Sequence, residues 1–157
     1  MANLGFLYFK KGRLSNSHEQ YLEAAHWFRF SLAEDSAQTD PNYYIGLMYK
    51  NGLGVDRCYT FAYKHLKRSA DLGHANACSE CGDLMYAGKG CQRPDKSRAY
   101  EWYEKGSELG SAKCMNSQAL MLESDYTIQD PKKSVELYAR AAELGNSDSV
   151  LNLGILF

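Results

Sequence analysis

His74-Ala-Asn-Ala-Cys-Ser-Glu-Cys-Gly-Asp-Leu-Met-Tyr86, followed by Ala99-Tyr-Glu-Trp-Tyr103 and closed by Ser107-Glu-Leu-Gly110, is one unit of a chain that repeats itself. In the first half, Ala77, Cys81, Leu84 and Met85 fall on one face at helical spacing. Gly88-Lys-Gly90 breaks that helix, because glycine readily takes positive φ. Asp95 is placed to cap a second helix by accepting its orphan amide hydrogens. That helix carries Ala99, Trp102, Tyr103 and Gly106 on one face, and Gly110 supplies the left-handed turn that ends it.

Outward from this unit the same plan recurs. Gly5, Gly46, Gly82, Ala119 and Gly154 follow one another at steps of 41, 36, 37 and 35 residues. Trp27-Phe28, His65-Leu66, Trp102-Tyr103 and Leu137-Tyr138 run in the same register. Ala70-Asp-Leu-Gly73, Ser107-Glu-Leu-Gly110 and Ala142-Glu-Leu-Gly145 close successive units. A period of this length signals a solenoid. The expected fold is therefore all-α, with antiparallel helix pairs stacked side by side as a single solenoid over residues 1–157. The repeats span 1–35, 36–73, 74–110 and 111–145, with a partial fifth at 146–157. Glycine in mid-helix costs about 1 kcal/mol relative to alanine, so its recurrence implies a close helix approach. Unit four lacks the turn glycines and reads Glu123-Ser-Asp-Tyr-Thr127 instead; unit one has a longer connection through Ser15-Asn-Ser17.

Leu4-Gly-x-x-Tyr8, Ile45-Gly-Leu-Met-Tyr-Lys-Asn-Gly-Leu-Gly-Val55 and Ala99-Tyr-Glu-Trp-Tyr103 resemble the Sel-1-like repeat family, a tetratricopeptide-like α-solenoid. The resemblance covers nearly the whole chain. It implies protein–protein binding without naming a partner, since family members serve as adaptors and scaffolds in varied settings. Some bacterial members staple their repeats with paired cysteines. Here Cys78 fits the second position of that pattern, but Ala70 occupies the first.

The charge balance, 18 basic against 19 acidic residues, argues against a general nucleic-acid or membrane-surface binder. No apolar run approaches the ~18 residues of a membrane span, and no signal peptide is visible. Met1 and Phe157 both fall inside repeat helices, so the chain reads as a piece of a longer protein whose targeting segments lie elsewhere. Cytoplasmic and secretory compartments are both compatible with this reading.

Little in the chain reads as chemistry. Gly52-x-Gly54 and Gly88-x-Gly90 lack the Lys-Ser/Thr of a P-loop and the strand of a dinucleotide site. His74, Cys78, Cys81 and Cys91 have zinc-like spacing, but Cys81, Cys91 and Cys114 occupy the slots of Ile45, Val55 and Ala77. A buried free cysteine behaves as a small hydrophobe. His18, His26, His65 and His74 are scattered, His65 in the slot of Trp27 and Trp102, and Glu108 and Glu143 sit beside helix-ending glycines. No enzyme activity, metal or cofactor is expected.

The first helix of each repeat has a second face. Relative to the slot glycine, positions −5, −1, +2 and +3 face the core, while −3, +1 and +4 cluster opposite. The opposite set contains Phe6 and Phe9; Tyr43, Leu47 and Lys50; Ser79, Asp83 and Tyr86; Asn116, Leu120 and Glu123; Leu151 and Ile155. Such a stripe suits a peptide groove on a concave surface. The predicted partner-binding residues are Phe6, Phe9, Tyr43, Leu47, Lys50, Asp83, Tyr86, Leu120 and Glu123. Packing between repeats is the competing reading for the aliphatic members. The apolar end Leu151-x-Leu-x-Ile-Leu-Phe157 adds self-association, or a spacer role, as alternatives to an adaptor. Trp102 and Tyr103 are the expected anchors of the central layer.

Overall fold

A computed structural model describes residues 1–91, 93–125 and 127–156. Tyr126, in the glycine-free turn, and Phe157, at the apolar end, lie outside the described residues. The described residues form nine helices and no strand: α1 (Ala2–Ser15), α2 (His18–Glu34), α3 (Thr39–Asn51), α4 (Tyr59–Asp71), α5 (Ala75–Tyr86), α6 (Lys96–Glu108), α7 (Ala112–Ser124), α8 (Pro131–Glu143) and α9 (Ser147–Leu156). Consecutive helices pack on one another throughout, tightest within the pairs α1–α2, α3–α4, α5–α6 and α7–α8.

Local chemistry starts each helix where the sequence places it. Ser17, Asp95, Ser111 and Asp130 cap their helices, each accepting the backbone N–H three residues on. Pro131 fills the first position of α8. His74 caps α5 through Nδ1, which accepts from the Ala77 N–H at 3.1 Å.

The slot residue explains the pairing. A Cβ built on Gly5 would lie 2.6 Å from the Phe28 ring, and one on Gly46 would lie 2.6 Å from Leu66. One on Gly82 would collide with the ring of Tyr103. Each second helix thus seats one large side chain directly on the backbone of its first helix. The inter-helix turns then dock backward. A Cβ on Gly90 would lie 2.7 Å from the Tyr59 carbonyl oxygen, and one on Gly54 would strike the backbone of Tyr21 and Leu22. These turn glycines are structural, since the N-terminus of the preceding second helix leaves no room for a side chain.

A further bond holds register without any sequence motif. The N–H of Cys58, Asp95 and Asp130 donates to the carbonyls of Tyr49, Met85 and Leu122 respectively. Each acceptor stands three residues after the slot position. In unit four, where glycine is absent, Asp125 closes the turn by accepting from both the N–H and the hydroxyl of Thr127.

Two expectations need correction. Tyr103 is buried, but Trp102 is only half-buried and packs against the edge of the central layer. One residue further round the helix, it leans toward α4, donating its Nε1–H to the Tyr63 hydroxyl at 3.3 Å. The Lys105 ammonium sits 5.1 Å from its ring centre. Leu4 and Leu7, on the core-facing side of α1, are also exposed, because among the described residues α1 packs chiefly on α2 and no helix covers that side.

Cys78, Cys81 and Cys114 are buried and Cys58 and Cys91 half-buried, and none forms a disulfide. Burial pushes the Cys81 thiol well above its ordinary value and Cys114 to about 11. Cys114 and Cys78 press against Gly106, where α6 crosses α5 and α7. These are packing thiols with little thiolate character.

Candidate partner-binding surface

The first helices α1, α3, α5 and α7 form one side of the stack, and α5 packs directly on α7, which no two second helices do comparably. On this side the nine candidate residues separate by position.

The −3 position turns toward the next repeat. Tyr43 is half-buried and stacks on His74, ring centres 4.1 Å apart. Burial, and then the Glu80 carboxylate, raise its hydroxyl pKa. Ser79 and Asn116, assigned to the open stripe by the same position, are buried. Asn116 accepts from Ser149 Oγ at 2.9 Å and from the Asn152 side chain at 3.0 Å. A period of 100° per residue places −3 opposite the core-facing positions, but it cannot register a neighbouring repeat crowding that flank.

Positions +1 and +4 stay on the surface. Phe6 and Phe9 are half-buried, both edge-on to Tyr44 of the next repeat at 5.1 and 4.9 Å. With Lys10, Arg13, Asp40 and Tyr44 they line a hollow of about 390 Å³. Tyr86 is 48% exposed and Leu120 43%. Together with Tyr103, Ser117, Met121 and Ser124 they line a second hollow of about 200 Å³ between α5 and α7. Leu47 is half-buried between these regions in sequence, and Glu123 is exposed and accepts from the Tyr138 hydroxyl at 3.0 Å.

A charge network joins α3, α5 and α7 on this side. Lys50 pairs with Glu80, and Lys113 reaches Asp83 at 2.8 Å and Glu80 at 3.4 Å. Asp83 also accepts from the Tyr103 hydroxyl at 2.8 Å. Burial alone would lower the Lys113 pKa, but the Asp83 and Glu80 carboxylates outweigh it and keep the ammonium charged. Sequence reading found Lys50 and Asp83 but missed Glu80, Lys113 and Tyr44. Their partners lie 30 or more residues away, so no local pattern marks them.

The remaining titratable candidates have structural roles. His65 Nδ1 lies 3.1 Å from the Asn42 side-chain oxygen, and its ring is held down to about pKa 4 by burial and then by Lys64, Arg29 and Arg68. His74 is a cap. Glu108 and Glu143 are exposed. Among the described residues no group of three or more His, Cys, Asp or Glu side chains converges as metal ligands, and no helix is long and apolar enough to cross a membrane.

The family model for the Sel1 repeat matches residues 42–74, 75–111 and 119–146. A curated relative, an uncharacterized protein of Neisseria meningitidis serogroup B, is 26% identical across a 169-position alignment that covers 86% of this chain and 35% of the relative. The chain thus spans about a third of the length of the curated relative it matches. Among solved structures, a protective antigen of uropathogenic Escherichia coli displaying an SLR fold superposes with a TM-score of 0.86 at 24% identity, covering 98% of this chain and 32% of that one. A Sel1 repeat protein from Oxalobacter formigenes gives 0.82 at 23% identity, covering 98% and 60%. Helicobacter pylori cysteine rich protein B gives 0.63 at 16% identity, covering 80% and 94%. At these identities the structural likeness establishes the fold alone. With the helix-pair stack and three matched repeats in hand, the chain belongs to the Sel1 repeat family.

Proposed function

We propose that the chain is a non-catalytic adaptor that takes a partner protein segment along the concave face of its first helices, α1, α3, α5 and α7. Sel1 repeat proteins are generally protein-interaction scaffolds, and the family is generally non-catalytic. The observation that carries the finer reading is the open aromatic and aliphatic surface at Tyr86 and Leu120. It lines a hollow beside the Lys50–Glu80–Lys113–Asp83 network. Apolar hollows flanked by fixed charges suit an extended or helical segment, the former supplying affinity and the latter register. In this reading residues 1–157 act as one solenoid unit, with Phe6 and Phe9 at one end of the track and Leu120 and Glu123 at the other.

The test is site-specific photocrosslinking in cells, with benzoylphenylalanine at Tyr86 and, separately, at Leu120. The same protein should be captured from both positions and lost in a Tyr86→Ser/Leu120→Ser variant of unchanged helical circular dichroism. Its purified form should bind the unmodified chain and not the variant. Capture that persists in the variant would reject this surface. Tyr43 is unsuitable as the probe, because its stacking on His74 makes it part of the inter-repeat packing.

A second reading rests on α9, where Val150, Leu151 and Ile155 are all more than half exposed. An apolar face of this kind suits self-association through a repeat end. Sedimentation velocity across a hundredfold range of concentration should then show a dimer that Leu151→Glu/Ile155→Glu abolishes. A monomer throughout would remove this reading.

A further inference from the structure

Two cavities lie away from the first-helix face, in a furrow between the second helices α2 and α4. One, of about 600 Å³, is lined by Leu22, His26, Arg29, Tyr49, Asp56 and Phe61 among others. The other, of about 400 Å³, includes Leu32, Lys64, His65, Arg68 and Asp71. An aromatic floor connects them: the Tyr49 ring lies 5.4 Å from Phe61 on one side and stacks on His65 at 6.0 Å and 11° on the other. Leu22 and Phe61 are each half exposed at the rim of the larger cavity.

The rim is cationic. Arg29, Lys64 and Arg68 are exposed, and among the described residues none has a carboxylate within salt-bridge distance. Two of them are nevertheless held in place by neutral groups. Arg29 donates to the Tyr49 hydroxyl at 2.7 Å, and Arg68 donates to Ser36 Oγ at 2.8 Å. Each guanidinium therefore has a fixed position and spare N–H donors, the state in which a carboxylate binds with least loss of side-chain freedom. Of the two acidic residues on the furrow, Asp71 is already paired with Lys67 and Lys105, and Asp56 stands alone at the far end. The neutral state of His65, held by burial and the three cations, agrees with a locally positive field. In a chain of net charge −1, this gathering of unpaired cations over an aromatic floor is a segregation of charge.

We propose that the α2–α4 furrow is a second docking surface, taking an acidic protein segment whose carboxylates meet Arg29, Lys64 and Arg68 while an aromatic or branched side chain enters beside Phe61 and Leu22. Fixed cations around an apolar floor give both charge steering and a hydrophobic anchor. The surface is independent of the first-helix track, so either proposal can fail without the other.

The experiment is selection of a random twelve-residue phage-displayed peptide library on the folded chain, followed by fluorescence anisotropy with the enriched peptides. Enriched sequences should combine Asp or Glu with Phe, Tyr, Trp or Leu. Their affinity should fall about tenfold or more in Arg29→Glu/Arg68→Glu and in Phe61→Ser, weaken with salt, and stay unchanged in Tyr86→Ser/Leu120→Ser. Lys64→Glu, a single exposed change, keeps the test decisive if the double variant does not fold. Enrichment of neutral or basic peptides, binding that survives Lys64→Glu and Phe61→Ser, or no enrichment at all would overturn the proposal. So would a single-stranded oligonucleotide that displaces the peptides from this furrow and binds more tightly than they do.

Discussion

Gly82 and Gly154 occupy the same slot of two repeats and have opposite surroundings. Any side chain on Gly82 meets Tyr103 of α6, whereas among the described residues nothing stands within 4 Å of a Cβ on Gly154. The residues at matching positions follow suit. Cys81 and Leu84 are buried beside Gly82, while beside Gly154 their counterparts Leu153 and Leu156 are half-buried and 40% exposed. The two helices share a sequence pattern, so the difference is not one of propensity. It comes from the second helix that packs on α5 and from the lack of one on α9 among the described residues. A repeat of this kind writes only half of a core into each helix, and the neighbour completes it.

The largest effect that sharpens this comparison is expected at the seated ring. Tyr103→Ala empties the seat on Gly82 and removes one of the two side-chain partners of Asp83, and should cost about 3–5 kcal/mol in urea melts. Trp102→Ala, one residue away, removes a half-buried ring whose partners are the Tyr63 hydroxyl and the Lys105 ammonium. It should cost only about 1–2 kcal/mol. Equal losses at the two positions would show that the layer is not ordered as described.

A smaller effect is expected from pH at the junction of units one and two. His65 has its pKa lowered from 6.5 to about 4. Below pH 6.5 the unfolded chain therefore takes up a proton that the folded chain refuses, and stability falls as pH drops from 6.5 toward 4. Above 6.5 the contribution is constant. His74, lowered chiefly by burial, acts in the same sense. Urea melts at pH 7 and pH 5 should show the loss, and His65→Gln should flatten it. A slope unchanged in His65→Gln would assign the pH dependence elsewhere.

Much of the fold was legible because its signals are local and recur. The slot glycines, the seated residues at 28, 66, 103 and 138, and the caps at Asp95 and Asp130 each follow from a few neighbouring residues. The surface was legible only in part. Helical periodicity separates a buried face from its opposite, yet it treats each helix alone. It therefore grouped Tyr43, Ser79 and Asn116 with Leu120 and Tyr86, although Ser79 is buried and the next repeat reaches Tyr43 and Asn116. It could not find the Glu80–Lys113 contact or the backbone bonds from Cys58, Asp95 and Asp130, which join groups whose sequence neighbourhoods carry no common mark. Trp102 was misplaced for a related reason. A shift of 100° separates it from Tyr103, enough to move one ring into the seat and the other onto the flank of α4.

The most direct test of the seat is a pair of alanine substitutions at the same slot, Gly82→Ala and Gly154→Ala, compared by urea melts. Adding a methyl to Gly82 forces the Tyr103 ring to move and should destabilise by about 1–3 kcal/mol despite the better helix propensity of alanine. Adding it to Gly154 meets no atom of the described residues and should stabilise α9 by up to about 1 kcal/mol. Opposite signs would establish that a seated second-helix side chain, and not the helix pattern, decides the stability of each repeat. A gain at both positions would contradict it.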